Sequence, residues 1–237
     1  MDIVQPIAVA LGASWASGIN LYAAVLTLGV LGITGNMVLP PDLQILANPM
    51  VIGAAALMYG IEFFADKIPG VDTLWDTLHT FIRIPAGAIL AAGAVGDVGM
   101  GAELAAALVG GTLAASTHAA KAGTRAVVNT SPEPFSNWTL SIGEDIAVFT
   151  GMWAAVKHPW IFIALLIVFI ALMVWLLPKM WRGVRRVFRW LFRSKDDSAP
   201  ARPPDAAAPA TSAAAANPES PRPETPSPKA PSDDWKP

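Results

Sequence analysis

The chain has 237 residues, of which 54% are hydrophobic and only 14% charged, against roughly 25% charged in an ordinary soluble domain. Its mean hydropathy is +0.48, a balance that excludes an average water-soluble enzyme. With no cysteine in the sequence, disulfides, thiolate-bound zinc or iron–sulfur clusters and thiol nucleophiles are excluded as well. The net charge of −2 divides into three zones. Residues 1–178 carry five bases and eleven acids, 179–195 carry seven bases and no acid, and 196–237 carry four bases and seven acids together with 11 of the 21 prolines.

Long uncharged blocks rich in Gly and Ala predict an all-α fold, a polytopic transmembrane bundle of about six helices with small-residue interfaces. In chain order, residues 3–41 hold no charge and read as one span, with Ser14, Ser17, Gly18 and Asn20 marking a point where it can unwind, followed by a loop over 32–49. The amino end lacks a basic n-region and carries Asp2, so no cleaved signal peptide is expected. A second span covers about 50–65. A third starts at Asp72, which can cap a helix after Pro69 and Gly70, and runs to about 96 through Arg83-Ile84-Pro85, a potential break. The fourth and fifth cover about 104–127 and 140–156. The sixth is the clearest: eighteen consecutive apolar residues, 160–177, just long enough to cross a ~30 Å hydrocarbon core.

Three domains follow: a transmembrane helical domain over 1–178, a basic amphipathic cytoplasmic helix over 179–195, and a disordered Pro/Ala-rich tail over 196–237. The positive-inside rule puts the Lys67 turn, the Lys121/Arg125 end of the fourth span and the basic run on the cytoplasmic side, leaving Asp42, Asp97 and Glu103 outside. A multi-pass inner-membrane protein with both termini cytoplasmic is the resulting expectation. Shifting the chain by 90 residues aligns Ile52-Gly53 with Ile142-Gly143, Lys67 with Lys157 and Pro69 with Pro159. If the unit is three helices, an odd number, the halves form two inverted repeats, an arrangement many transporters use.

Candidate chemistry concentrates in 63–83, FFADKIPGVDTLWDTLHTFIR. Asp72, Asp76, His79 and Arg83 are spaced by four, three and four residues, one stripe on a helix. Glu62 and Asp66, four apart, face that stripe across a short turn. Ionisable groups at membrane depth favour a polar or ion site, whereas at the interface the same groups form a structural clamp.

The run ADKIPGVDTLWDTLHTFIR, preceded by Glu62, and the amino-terminal ASGINLY element resemble the bacterial membrane family known as domain of unknown function 4126. The likeness covers about 5–178 and is most specific over 66–83. It implies an integral membrane protein of unassigned activity and supplies no catalytic residue.

Secondary polar positions lie elsewhere. Ala107, Gly111, Ala115, Ala119 and Gly123 recur every four residues and let another helix approach closely, with Ala88, Ala92 and Gly96 as the matching face. His118, Lys121 and Arg125 follow toward the cytoplasmic end, suited to neutralising the acidic stripe or to meeting lipid phosphates. Glu144 and Asp145 sit where the fifth span opens, and Ser17 and Asn20 offer polar groups at a helix break. No metalloprotease, nucleotide-binding or nucleophile-elbow motif occurs, so no metal, cofactor or catalytic residue is called for, and nucleic-acid binding has no folded basic module behind it. The partners expected are the lipid bilayer, with anionic lipid at 179–195, and the pattern leaves open a homo-oligomer and a cytosolic partner of the tail. The leading functional expectation is a small-solute or ion transporter or channel. Its rival is a non-transporting scaffold or assembly factor, and a lipid-modifying enzyme using the carboxylates is a third.

Overall fold

A computed structural model describes residues 3–68, 70–128 and 134–193. They form six α-helices, α1 (Val4–Ile33), α2 (Pro49–Ala65), α3 (Val71–Ala94), α4 (Met100–Val128), α5 (Pro134–Lys157) and α6 (Pro159–Arg193), with short 3-10 segments at Pro41–Ala47 and Gly96–Val98. No strand occurs among the described residues, so the all-α expectation stands. Met1–Phe192 forms one compact unit. The expected disordered tail, 196–237, lies outside the described residues.

Local chemistry sets several helix ends. Asn48 caps α2 by accepting from Met50 N at 2.8 Å, with Pro49 in the first turn, where its missing N–H costs nothing. Asp72 binds the start of α3 from inside the first turn, accepting from Gly70 N at 2.8 Å and Thr73 N at 2.6 Å, and Gly70 takes φ 89°, a conformation that favours glycine. Pro85, the potential break, does not interrupt α3, and α6 runs on through Pro178. The boundary between the last span and the basic helix is therefore not a helix end.

The main departure from the sequence reading is in α1. Asn20, at φ −148° and ψ 98°, leaves the helical region and joins two helical arms, 4–19 and 21–33. Its side-chain oxygen accepts from Ala23 N at 3.0 Å, so the residue that ends the first arm caps the second. A straight α1 would be about 45 Å long. Instead its two ends reach neighbouring residues of α5: Gln5 Nε2 donates to Val156 O at 3.4 Å, and Lys157 Nζ donates to Asn36 O at 2.8 Å. The second arm also packs Gly29 on Leu46 of the 3-10 segment, whose Leu43 packs on Gly93 near the end of α3. The helix thus folds back at Asn20, with arms of roughly 24 and 20 Å. The single crossing expected over 3–41 is corrected to a helical hairpin.

Ser14 and Ser17 stitch the first arm to α3, donating to Gly87 O at 2.9 Å and Arg83 O at 2.8 Å. Farther from Asn20, α3 and α4 meet through small residues, because a Cβ added at Gly87 would collide with Ala114 and one at Gly110 with Ala91. The α3–α4 pairing agrees with the sequence reading, but the face is turned. Gly110, Ala114 and His118 are buried while Ala119 is exposed; of the expected stripe, Gly111 lies where an added Cβ would stand 3.3 Å from that of Ala88.

By length and composition two helices can cross a membrane, Val4–Ile33 and Pro159–Leu176, or three if Pro41–Ala47 and Pro49–Ala65, bent by 67°, count as one span. These associate the chain with a membrane. Only 11% of the apolar stretch of α6 is buried, against 56% in α1. Ile161, Leu165, Val168, Leu172 and Trp175 of α6 stay exposed, a surface suited to lipid. On its inner side Phe162 and Phe169 meet Trp15 edge-on, each with centroids 6.1 Å apart. Under the repeat, α6 would correspond to α3, yet α3 is interior and α6 peripheral.

Candidate functional site: a buried ion network

The apex of α1 meets charged side chains from four other helices. Glu62 and Asp66 end α2; Asp72, Asp76, His79 and Arg83 lie on α3; His118, Lys121 and Arg125 on α4; Glu144 and Asp145 on α5. Every position singled out from the sequence as a candidate polar site, with Ser17 and Asn20, falls in or against this one cluster. Glu62, Asp72 and Arg83 are 0% exposed, and Asp66, Asp76, Lys121 and Arg125 no more than 5%. Exposed charges at an interface would not look like this.

Arg83 is held by two carboxylates, with Nη2 2.6 Å from Glu62 Oε1 and Nη1 2.9 Å from Asp76 Oδ1. Lys121 Nζ donates to Asp66 Oδ2 at 3.1 Å and to Ile19 O at 2.9 Å. The second contact is instructive, because Ile19 is the last residue of the first arm, and its carbonyl belongs to the negative end of a helix dipole. Lys121 also lies 3.6 Å from Glu62, Asp76 and Glu144 oxygens. Arg125 Nη2 bridges Asp66 Oδ2 at 2.9 Å and Glu144 Oε2 at 2.6 Å, Nη1 lies 3.7 Å from Asp72 Oδ2, and Asn20 Nδ2 donates to Asp145 Oδ1 at 3.2 Å.

Both histidines have roles fixed by their neighbours. Thr80 Oγ1 donates to Asp76 O at 2.9 Å, so His118 Nε2 donates to Thr80 Oγ1 at 2.6 Å and His118 Nδ1 accepts from Arg83 Nη1 at 3.3 Å. His79 Nδ1 donates to Trp75 O at 2.9 Å, its ring stacks on Trp75 at 4.2 Å, and Nε2 faces the Tyr22 hydroxyl at 3.1 Å. Outside the helices, Lys67 sits 2.9 Å above the Phe63 ring, and partial burial lowers its pKa, opposed by Asp145 and Asp66.

Two features govern the chemistry. Among the described residues six carboxylates (Glu62, Asp66, Asp72, Asp76, Glu144, Asp145) share the cluster with three buried strong bases (Arg83, Lys121, Arg125), with Lys67 in electrostatic reach of Asp66 and Asp145 at its edge, and protons or a bound cation would offset the remaining excess. Several buried atoms also have no hydrogen-bond partner. Toward α2 and α5 these are oxygens: Glu62 Oε2, Asp66 Oδ1, Asn137 Oδ1, Ser141 Oγ and Asp145 Oδ2. Toward α3 and α4 they include Asp76 Oδ2 and Arg125 Nε, beneath a depression of about 130 Å3 lined by their residues with Thr73, Thr77, Thr80 and His118. Among the described residues no group of three or more His, Asp or Glu is placed to hold a metal ion.

Sequence reasoning missed Asn137 and Ser141, although with Asp145 they repeat every four residues, the spacing used to find the α3 stripe. Asn137 Nδ2 donates to Asp66 O at 3.3 Å. Tyr22, Trp75 and Thr80 were also missed, and only their partners reveal them.

These features define an all-α, membrane-associated protein with an acid-rich ion network enclosed at the fold of a broken helix. The chain belongs to the family described as a domain of unknown function, DUF4126, whose model matches residues 7–179. No curated protein and no solved structure matches it.

Proposed function

We propose that the chain is a multi-pass membrane transporter for a small solute or ion, with the network as its working site. The observation that carries this reading is the excess of buried carboxylates at the apex of a re-entrant helix. Transporter sites are commonly built where discontinuous helices turn backbone groups toward charged ones, as the first arm of α1 does with the Ile19 carbonyl toward Lys121, while the Asn20 side-chain amide at the break donates to Asp145. Isolated buried carboxylates are costly, so ones that outnumber their partners are suited to exchanging protons or cations.

With α1 folded back, α6 and the bent segment ending in α2 are apolar enough to cross, and α3, α4 and α5 complete five crossings in this reading although they fall short by composition alone. The amino end of α1 then lies on the side opposite the basic end of α6. The positive-inside rule makes the Lys67 turn, Arg125 and the basic end cytoplasmic in an inner membrane, with Lys179 and Arg182 facing anionic lipid. This replaces six crossings with both ends on one side.

A non-transporting scaffold is the second reading, favoured by the packing away from the network, where Gly87 and Gly110 lie so close to Ala114 and Ala91 that an added Cβ would collide. Reconstitution separates the two. A transporter gives proton or solute flux in proteoliposomes that Asp76→Asn abolishes while folded yield persists. Flux absent from well-folded wild-type protein under proton, alkali-cation and small-solute gradients leaves the scaffold.

A further inference from the structure

The six carboxylates of the network are unequally served. Glu62, Asp66, Asp72, Asp76 and Glu144 each have an arginine or lysine nitrogen at ion-pair distance, from 2.6 Å for Glu62 to 3.7 Å for Asp72. Asp145 is buried at 7% exposure and pairs with no cation among the described residues. Its Oδ1 accepts from Asn20 Nδ2 at 3.2 Å, and its Oδ2 has no hydrogen-bond partner. Tyr59 and Asp66 of α2, Lys67 just beyond them, Lys121 of α4 and the adjacent Glu144 of α5 stand around it. Asp66 repels its charge. The two lysines attract it from outside ion-pair distance, but Lys121 is committed to Asp66 and the Ile19 carbonyl, and Lys67 to the Phe63 carbonyl at 3.0 Å. A buried carboxylate without a paired cation is costly, and such a group commonly sheds its charge by taking a proton.

The hydrogen-bond balance on the same side points the same way. Ser141 Oγ and Asn137 Oδ1, one and two turns before Asp145 on α5, belong to residues 1% and 2% exposed and also lack partners. With Glu62 Oε2, Asp66 Oδ1 and Asp145 Oδ2, the unpartnered atoms toward α2 and α5 are all oxygens, and only the Ser141 hydroxyl has a hydrogen to give. That side is short of donors, and a protonated carboxyl is a donor. We propose that Asp145 is the proton-binding residue of the network, its Oδ2 taking the proton while Oδ1 keeps the bond from Asn20. Binding forms one O–H bond and cancels one negative charge, and no other bond is made or broken. Asn20 also caps the second arm through Ala23 N, so the proton acts on the residue at which α1 reverses. The proposal deepens the transport reading by naming the proton as the species exchanged, but the binding stands without transport.

The test uses the full chain in nanodiscs and infrared difference spectra between mildly acid and mildly alkaline pH. Asp145→Asn keeps the shape of the protonated carboxyl and can still accept from Asn20. A carboxylic-acid band that titrates in wild type and is lost in Asp145→Asn is expected, and the wild-type melting temperature should fall relative to the variant's as pH rises through that titration. Should Asp145→Asn fold poorly, Asn20→Ala removes the amide donor to Oδ1 and is expected to move the midpoint of the band. A midpoint unmoved by Asn20→Ala overturns the proposal. A well-folded wild type without a titrating carboxyl band overturns it, as does a band that Asp145→Asn leaves in place. Proton binding at Asp145 without proton flux in proteoliposomes sinks transport and leaves the site, whereas proton flux undiminished in Asp145→Asn sinks the site and leaves transport.

Discussion

The two ends of the α3–α4 pair are held together by opposite means. At one end Gly87 and Ala91 press against Ala114 and Gly110 so closely that a single added Cβ has no room. At the other, Asp76 and Arg83 meet His118, Lys121 and Arg125, and carboxylates from α2 and α5 complete the pairing. The small-residue end gains from dispersion and short backbone distance, which tolerate no enlargement. The charged end depends on mutual compensation, which tolerates no deletion. One helix pair therefore carries a half held by close packing and a half whose stability is conditional on charge.

Breaking the charged half should give the largest effect. Arg83→Met leaves Glu62 and Asp76 without their closest cation, and loss of one partner of a buried pair typically costs about 3–5 kcal/mol. The expected result is a large fall in folded yield by fluorescence-detected size exclusion. A melting temperature within a degree of wild type would mean that water already screens the network. At the small-residue end, Gly110→Leu forces α3 and α4 apart and should cost about 1–3 kcal/mol, as overpacking does, with thermal melting as the readout. Asn20→Ala removes the cap of the second arm and the bond to Asp145, for about 1–2 kcal/mol. The smallest effect should have the opposite sign. Gly53, inside α2, has open space where a Cβ would stand, so Gly53→Ala should stabilise by about 0.5–1 kcal/mol, a rise in melting temperature that a hidden contact would reverse.

Much of the charged half was legible because charge in an apolar chain is conspicuous. The spacing of Asp72, Asp76, His79 and Arg83 put them on one face, and that face is buried. The spacing of His118, Lys121 and Arg125 did the same for α4. The small-residue half was legible only as a composition: with Gly and Ala on every side of α4, nothing marks the inward face, and the expected stripe was turned relative to Gly110 and Ala114. The run 160–177 was read correctly as apolar, but not that its helix continues through Pro178. The reversal of α1 was hidden for a different reason. A single residue's backbone angles at Asn20 redirect the second arm, and an uncharged apolar sequence reads identically whether it crosses or returns. The polar residues around Asn20 marked the place without giving the direction.

That reversal delivers the end of one helical arm and the start of the next to the ion network, so its geometry is the point on which the rest turns. Since the chain has no cysteine, a Gln5→Cys, Ile33→Cys variant carries spin labels at those positions alone, and pulsed electron–electron resonance in nanodiscs reads their separation. A folded-back α1 gives a distance at least about 10 Å shorter than the roughly 42 Å of a straight helix between those positions. A distribution centred near about 42 Å would contradict the hairpin and, with it, the site built at its apex.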